Sequence, residues 1–335
     1  MRPDTADTGM GGAVARLADQ QPAVGQFSGL TGHFGAAVGD SRLRSPIGWL
    51  GGKSRMLAKI VPNLPPHGVY VEPFGGGAAV LLAKTPAPVE IYNDINPGLV
   101  NMFRTIRDPG LFERFYRRVQ ATLYSRSEYY CCQNTWMAQD DPVEKAYRFY
   151  VAARQSFGGH FDHGWGYNVA TSMRGMAAVN AQWNSIAVML PELHRRLAGV
   201  QIKCEDWRQI LGAHDLPDSL AYLDPPYVLD TRKGGGYEHE LTDGDHRDLV
   251  EAMLRYSGMM VLSGYESSIY APLLDAGWTI RRYNTACFVV GRTRFTKIQG
   301  AGAAIKMQPR VECVYSNPAA NENKRQLSLF GEATT

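Results

Sequence analysis

The residues of this chain best suited to chemistry are Asp224-Pro225-Pro226-Tyr227, which end the apolar run Ser219-Leu220-Ala221-Tyr222-Leu223. The run reads as a short buried strand. Two consecutive prolines must end it, because neither can donate to a sheet ladder. What remains is a rigid corner with free backbone carbonyls, a carboxylate on one side and an aromatic ring on the other. Such a corner suits a planar group bearing an exocyclic amine. The Asp224 carboxylate and a proline carbonyl can accept its two N–H bonds, while the Tyr227 ring stacks on its face.

A second constellation lies earlier. Val69-Tyr70-Val71-Glu72-Pro73-Phe74-Gly75-Gly76-Gly77 followed by Ala78–Leu82 reads as strand, glycine turn and helix. Glycines there let the backbone approach a ligand closely. The next strand, Val89-Glu90-Ile91-Tyr92, ends in Asn93-Asp94. Asp94 lies about 20 residues past the turn, where a carboxylate at a strand tip can bind ribose hydroxyls. The turn and Asp94 together point to a β-α-β unit that holds a nucleoside. Gly51-Gly52-Lys53-Ser54, upstream, is not a phosphate-binding loop, because that motif's first glycine is missing at the required spacing.

The elements that must position these residues follow from periodicity. A chain of 335 residues, 44% hydrophobic, can bury a sizeable core. Residues 1–45 are rich in Gly, Ala and Asp and read as a flexible extension. Helices are expected over Ser54–Val61 with Ser54 as N-cap, over Asn96–Ile106, Leu111–Tyr124 and Val143–Arg154, and from Trp207 to about Leu211. Further helices are expected over Asp245–Tyr256, capped by Thr242, and around Ile269–Ala276. Further strands are expected at Val200–Cys204, Met259–Ser263, Trp278–Tyr283, Phe288–Val290 and Glu312–Tyr315. The stretch 108–196 interrupts the β/α alternation and carries an aromatic, glycine-rich segment, Ser156–Tyr167, that resembles loops or a hairpin.

Net charge is only +3, so any nucleic-acid contact must come from local patches. Basic residues interleaved with aromatics in the interrupting stretch supply one, with Arg148, Arg154 and Arg174 as candidates. Arg232 and Lys233, in a glycine-dense loop over 228–241, and Arg292 and Arg294, on a basic connection, supply others. The five cysteines lack CxxC spacing and support neither a disulfide framework nor a zinc site, which fits a reducing cytoplasm. No stretch reaches the ~18–20 uninterrupted apolar residues of a membrane span.

In order along the chain, Trp49-Leu50-Gly51-Gly52-Lys53, Glu72–Gly77, Asp94-Ile95-Asn96 and Asp224–Tyr227 resemble the motifs of the Dam-like DNA adenine methyltransferases. The similarity covers about Pro46 to Asn317, and Arg310–Tyr315 looks like that family's last strand. The resemblance implies an α/β fold: a Rossmann-like methyltransferase sheet over 46–107 and 197–317, with a mostly helical target-recognition domain inserted at 108–196. It implies S-adenosylmethionine as cofactor, held by Glu72, Phe74, Gly75, Gly76, Gly77 and Asp94. Trp49 and Lys53 would line the same cleft, with Asp206 against the cofactor adenine. Asp224, Pro225, Pro226 and Tyr227 would hold an adenine flipped out of double-stranded DNA for methylation at N6, without a metal. The inserted region lacks the arginine-tyrosine-asparagine hairpin associated with GATC-specific members, so no recognition sequence carries over.

The end of the chain, from Asn317, is polar and is expected to be disordered. Gln326, Leu327, Leu329 and Phe330 within it resemble the bacterial sliding-clamp-binding peptide, which implies a tether to replicating DNA. Other readings stay open. The amine of cytosine (N4) has similar geometry. A nicotinamide-dependent dehydrogenase would share the glycine turn and Asp94 but leaves the Asp-Pro-Pro-Tyr corner unexplained. A non-catalytic DNA-binding regulator would have no use for an intact corner.

Overall fold

The computed structural model describes residues 43–157, 161, 164–168, 171–229, 239–287 and 308–331. Most of the expected N-terminal extension, Arg232, Lys233, the strand candidate Phe288–Val290, Arg292 and Arg294 lie outside the described residues, as do the side chains of 325–331.

Nine strands are described. They are β1 (Val69–Glu72), β2 (Val89–Asn93), a small hairpin of β3 (Ser172–Met173) and β4 (Met176–Ala177), then β5 (Val200–Lys203), β6 (Ser219–Leu223), β7 (Met259–Gly264), β8 (Thr279–Cys287) and β9 (Gln308–Ser316). All but the hairpin form one sheet in the order β5-β2-β1-β6-β7-β9-β8. The first five of these are parallel, and β9 runs antiparallel to both β7 and β8. The expected α/β sheet is therefore present. Chain order runs outward from β1 on one side and from β6 on the other, so the crevice for a ligand opens where the carboxyl ends of β1 and β6 meet.

Both faces of the sheet are covered, which is why its strands read as continuous apolar runs instead of alternating ones. Tyr70, Tyr92, Leu220, Tyr222 and Val261 enter one core with α3 (Pro97–Arg107), α4 (Pro109–Gln120), α6 (Pro142–Gln155) and α7 (Ala178–Leu197). Val71, Ile91, Ala221, Leu223 and Leu262 enter the other with α8 (Trp207–Ala213) and α9 (Asp243–Arg255).

Several helices begin on one local signature, an Asn or Asp followed by proline at the first helical position. Asn96 accepts from the N–H groups of Gly98 and Leu99, Asp108 from that of Leu111, and Asp141 from that of Val143. Proline there forfeits no bond, and the preceding side chain satisfies a donor that the helix leaves open. Thr242 and Asp245 form a reciprocal capping box on α9, in line with the expected Thr242 cap.

The structure corrects other expectations. The helix expected over Ser54–Val61 is a 3-10 turn (Lys53–Arg55), a short α1 (Leu57–Ile60) and a second 3-10 turn (Val61–Asn63), without a Ser54 cap. Pro62 blocks a longer helix. The helix expected to reach Tyr124 stops at Gln120, and α5 (Arg126–Thr135) and α7 were not foreseen. The aromatic segment does hold an antiparallel bridge, Ser156 to Trp165, with the Phe157 N–H on the Gly164 carbonyl and the Gly166 N–H on the Gln155 carbonyl, and a further hairpin not foreseen lies at β3–β4. The helices α4–α7 belong to the same compact unit as the sheet.

The tail read as disordered is helical over Pro318–Gly331 (α11, after α10 at Ala271–Asp275). Asn317 explains the difference, since it repeats the Asn-Pro start. It is 5% exposed and accepts from the N–H groups of Met260 and Ala320 while donating to the Gly258 carbonyl. It thereby ties the start of α11 to β7. No described helix is long and apolar enough to cross a membrane.

Candidate active site

The glycine turn after β1 is shaped by the end of β2. The Gly75 N–H donates to the Asn93 carbonyl at 2.7 Å and the Gly76 N–H to Asp94 Oδ2 at 2.7 Å. The Tyr92 hydroxyl donates to the Gly76 carbonyl at 2.8 Å. Gly76 has φ +47°, a left-handed conformation that favours glycine, and a Cβ there would meet the Trp49 ring at 2.9 Å. Asp94 Oδ1 accepts from the Asn96 N–H at 2.8 Å, so its carboxylate braces the turn and the start of α3 together.

Asn93 was passed over in the sequence. It is 1% exposed, donates to the carbonyls of Pro73 and Glu205 and accepts from the Glu205 N–H, each at 2.9 Å. It staples the glycine turn to the loop that carries Asp206. Asp206 itself caps α8, accepting from the Arg208 N–H at 2.8 Å.

A cleft of about 540 Å³ opens at this switch in strand order. It is lined by all nine residues expected at the cofactor: Trp49, Lys53, Glu72, Phe74, Gly75, Gly76, Gly77, Asp94 and Asp206. Asp224 and Pro226 line the same cleft, joined by Tyr222 and Trp207. The volume lies within the range of pockets that enclose small molecules.

At the corner after β6, both contacts to the Asp224 carboxylate fall on Oδ1. The Lys53 ammonium lies 2.6 Å away and the Ser263 hydroxyl donates at 3.0 Å. Burial pushes the Asp224 carboxyl above its ordinary range, Lys53 and Ser263 oppose that, and the nearby Glu312 charge adds to it. Glu72 is 2% exposed and accepts on Oε2 from the Tyr70 hydroxyl at 3.0 Å and the Leu81 N–H at 3.1 Å. Burial pushes its carboxyl up to about 8, so it is a neutral acid at pH 7.

Tyr227 is held from several sides. Its hydroxyl donates to Glu312 Oε2 at 2.7 Å, its ring packs edge-on to Tyr265 at 4.5 Å, and the Lys53 ammonium lies 4.8 Å from its centroid. The ring is 6% exposed, so in this state it is a packed support of the corner and not an open stacking face. Neither Glu312 nor Ser263 stood out in the sequence, because each sits inside an ordinary strand pattern.

The three arginines described from the expected DNA-contacting set are not gathered at the cleft. The Arg148 guanidinium is engaged within its own layer, with Glu144 at 2.8 Å and with the Thr135 hydroxyl, and Arg154 is half-buried. Arg174 alone of the three is exposed, at φ +52° in the β3–β4 turn.

Comparison with known proteins agrees with this geometry. The family model described as D12 class N6 adenine-specific DNA methyltransferase matches residues 49–274. The type II methyltransferase M.FokI of Planomicrobium okeanokoites is 24% identical over 199 residues, 57% of this chain and 30% of that protein. The retron Ec67 DNA adenine methylase of Escherichia coli is 38% identical over 58 residues, 17% of this chain and 20% of that protein. The matches thus span less than a third of either relative's length. A sheet with this strand order, one cleft shared by the glycine turn and the Asp-Pro-Pro-Tyr corner, and a family match over most of its length place the chain in the D12 class N6 adenine-specific DNA methyltransferase family.

Proposed function

We propose that this chain moves a methyl group from S-adenosylmethionine to the N6 amine of an adenine in double-stranded DNA. The observation that carries the reading is the sharing of one cleft by the Asp224 carboxylate and the glycine turn with Asp94. The residues fit the cofactor. The turn's backbone is open to a ligand, and a Cβ at Gly75 or Gly76 would drive into the Tyr92 or Trp49 ring. Bound there, the cofactor would supply an electrophilic methyl group. Gly75–Gly77, Asp94 and Trp49 would hold it, with Asp206 and Trp207 lining the same cleft.

The chain's own contribution is acceptance and orientation. An amine conjugated to a purine is a poor nucleophile because its lone pair is delocalised. Asp224 and the Pro225 carbonyl, accepting its two N–H bonds, favour a more pyramidal nitrogen and fix its direction. The gain comes from positioning and electrostatics. Since the amine is unreachable inside a duplex, the base must leave the stack. Pro226 and Tyr222 line the cleft at the corner, and stacking on Tyr227 requires its ring to come free of Tyr265.

Incubation of the purified chain with labelled cofactor and unmethylated DNA, followed by nucleoside analysis, tests the reading. N6-methyladenine is expected; N4-methylcytosine would move the assignment to the other base. Asp224→Ala is expected to bind cofactor and lose transfer, and near-normal turnover would sink the assignment.

Two further parts of this proposal are separable. In this reading Arg174, exposed at the β3–β4 turn, would contact DNA phosphates. The clamp-like residues Gln326, Leu327, Leu329 and Phe330 fall within α11, so seating as an extended peptide would require the end of that helix to unwind. Capture by purified sliding clamp, lost on replacing Leu329 and Phe330 with alanine, supports the tether; equal capture of both forms dismisses it.

A further inference from the structure

Asp224 and Ser263 stand one step beyond the last ladder pair of β6 and β7, Leu223 with Leu262. The Ser263 hydroxyl, in a residue 2% exposed, donates to Asp224 Oδ1 at 3.0 Å and also lies 2.8 Å from the Tyr222 hydroxyl. A serine hydroxyl has one proton. Because that proton is given to the carboxylate, the Tyr222 hydroxyl must be the donor in the second contact. The donors therefore run one way, from Tyr222 to Ser263 to Asp224. Lys53 engages the same Oδ1, and among the described residues Oδ2 takes no hydrogen bond.

We propose that Ser263, itself oriented by Tyr222, is a positioning residue: it holds Oδ1 of Asp224 so that Oδ2 is the oxygen presented to the substrate amine. This rests on the methyl-transfer reading above. With Oδ1 committed to Lys53 and Ser263, the carboxylate plane is fixed by donors from two different elements, the 3-10 turn at Lys53 and β7. A carboxylate held by Lys53 alone could rotate and offer either oxygen. The other charged or titratable groups facing Asp224 are Glu72 from β1, Glu312 from β9 and Tyr270 after β7. None of these donates to it in the structure, so Ser263 is the neutral donor whose removal changes the carboxylate's support without changing the charge of the site.

The test compares Ser263→Ala, Tyr222→Phe and a control, Ser219→Ala. Ser219 makes a similar buried serine–tyrosine contact, with the Tyr256 hydroxyl at 2.6 Å, but at the opposite end of β6. Two quantities are read. One is the carboxyl titration of Asp224 by carbon-13 NMR without cofactor, assigned with Asp224→Asn. The other is the acid limb of kcat for methyl transfer to unmethylated DNA. Loss of one hydrogen bond to the ionised form should move both upward by about one pH unit in Ser263→Ala. Tyr222→Phe should move them the same way by less, and Ser219→Ala should move neither. KM for the cofactor should stay constant throughout. Methyl transfer with neither quantity displaced in Ser263→Ala and Tyr222→Phe overturns the positioning role and leaves the function standing. A titration displaced in Ser263→Ala, with a wild-type chain that forms no N6-methyladenine, overturns the function, and the assignment of Oδ2 to an amine falls with it.

Discussion

The Lys53 ammonium lies 2.6 Å from Asp224 Oδ1, and Lys53 is only 5% exposed. The pair joins the Gly-Gly-Lys segment to the corner after β6, and both residues line the cleft. Lys53 also donates to the Gly51 carbonyl at 2.7 Å, so the segment that carries Trp49 is folded around the same cation. One side chain thus ties the geometry of the Trp49 segment to the ionisation of Asp224.

Replacement of Lys53 by methionine keeps bulk and removes charge. Burial already lifts the Asp224 carboxyl and Lys53 opposes that lift, so its loss raises the carboxyl further. Methyl transfer at pH 7 is expected to fall at least about tenfold, with partial recovery as pH rises through the new value. Stability has the matching sign. An acid whose folded value lies above its unfolded one contributes stability at low pH that is lost as pH rises through the folded value. Lys53→Met should therefore be more destabilised at pH 8 than at pH 5, approaching the ~3–5 kcal/mol of a broken buried pair. Thermal melts at both pH values check this; equal losses would count against it.

Gly75→Ala places a Cβ 2.2 Å from the Tyr92 ring, whose hydroxyl holds the Gly76 carbonyl. The ring is 1% exposed and has nowhere to retreat. Overpacking of this kind costs ~1–3 kcal/mol, and the displaced turn should weaken cofactor binding measured by calorimetry. Gly199→Ala meets nothing within 4 Å and should leave both quantities unchanged. Similar behaviour of the two variants would mean that the turn tolerates a side chain.

How much of this site can be read from the sequence depends on where each partner lies. The glycine turn, Asp94 and Asp224 are legible because strand, turn and carboxylate are neighbours along the chain. The starts of α3, α4 and α6 are legible for the same reason, each written as an Asn or Asp before proline. Asn317-Pro318 carries that signature too, and the polarity that follows it masked the helix. Contacts made by sheet order are not legible. Ser263 reaches Asp224 because β6 and β7 are adjacent, and Glu312 reaches Tyr227 because β9 folds back beside β7. No local pattern distinguishes those two residues from any other polar residue in a strand. The packing of Tyr227 is not legible for the same reason: its neighbours Tyr265 and Glu312 come from elsewhere in the chain.

Glu72 gives a stability prediction independent of catalysis. Its carboxyl stands at about 8 in the folded chain against 4.5 ordinarily, so between those values the folded state holds a proton that the unfolded state has lost. Stability must then fall as pH rises through that interval, by up to about 5 kcal/mol for such a shift. Glu72→Gln keeps an acceptor for the Tyr70 hydroxyl and the Leu81 N–H and cannot ionise. Its melting temperature should match the wild type near pH 5 and exceed it at pH 9. Parallel curves across that range would show that Glu72 ionises normally.

Glu312→Gln should act on Asp224 with the opposite sign to Lys53→Met and Ser263→Ala. The Glu312 charge raises the Asp224 carboxyl, whereas its oxygen is needed only as the acceptor for the Tyr227 hydroxyl. Glutamine retains an acceptor carbonyl and removes the charge, so Tyr227 stays in place while Asp224 ionises more easily. The acid limb of kcat should move to lower pH, and activity on that limb, below the optimum, should exceed that of the wild type. Glu312→Ala removes the acceptor as well, freeing Tyr227 to leave its packed position and lowering kcat even at the pH optimum. A glutamine variant that resembled the alanine one at every pH would mean that the charge of Glu312, and not its lone pair, keeps Tyr227 against the corner. In that case the like-charge repulsion between Glu312 and Asp224 would be a cost that the site bears in order to hold the ring.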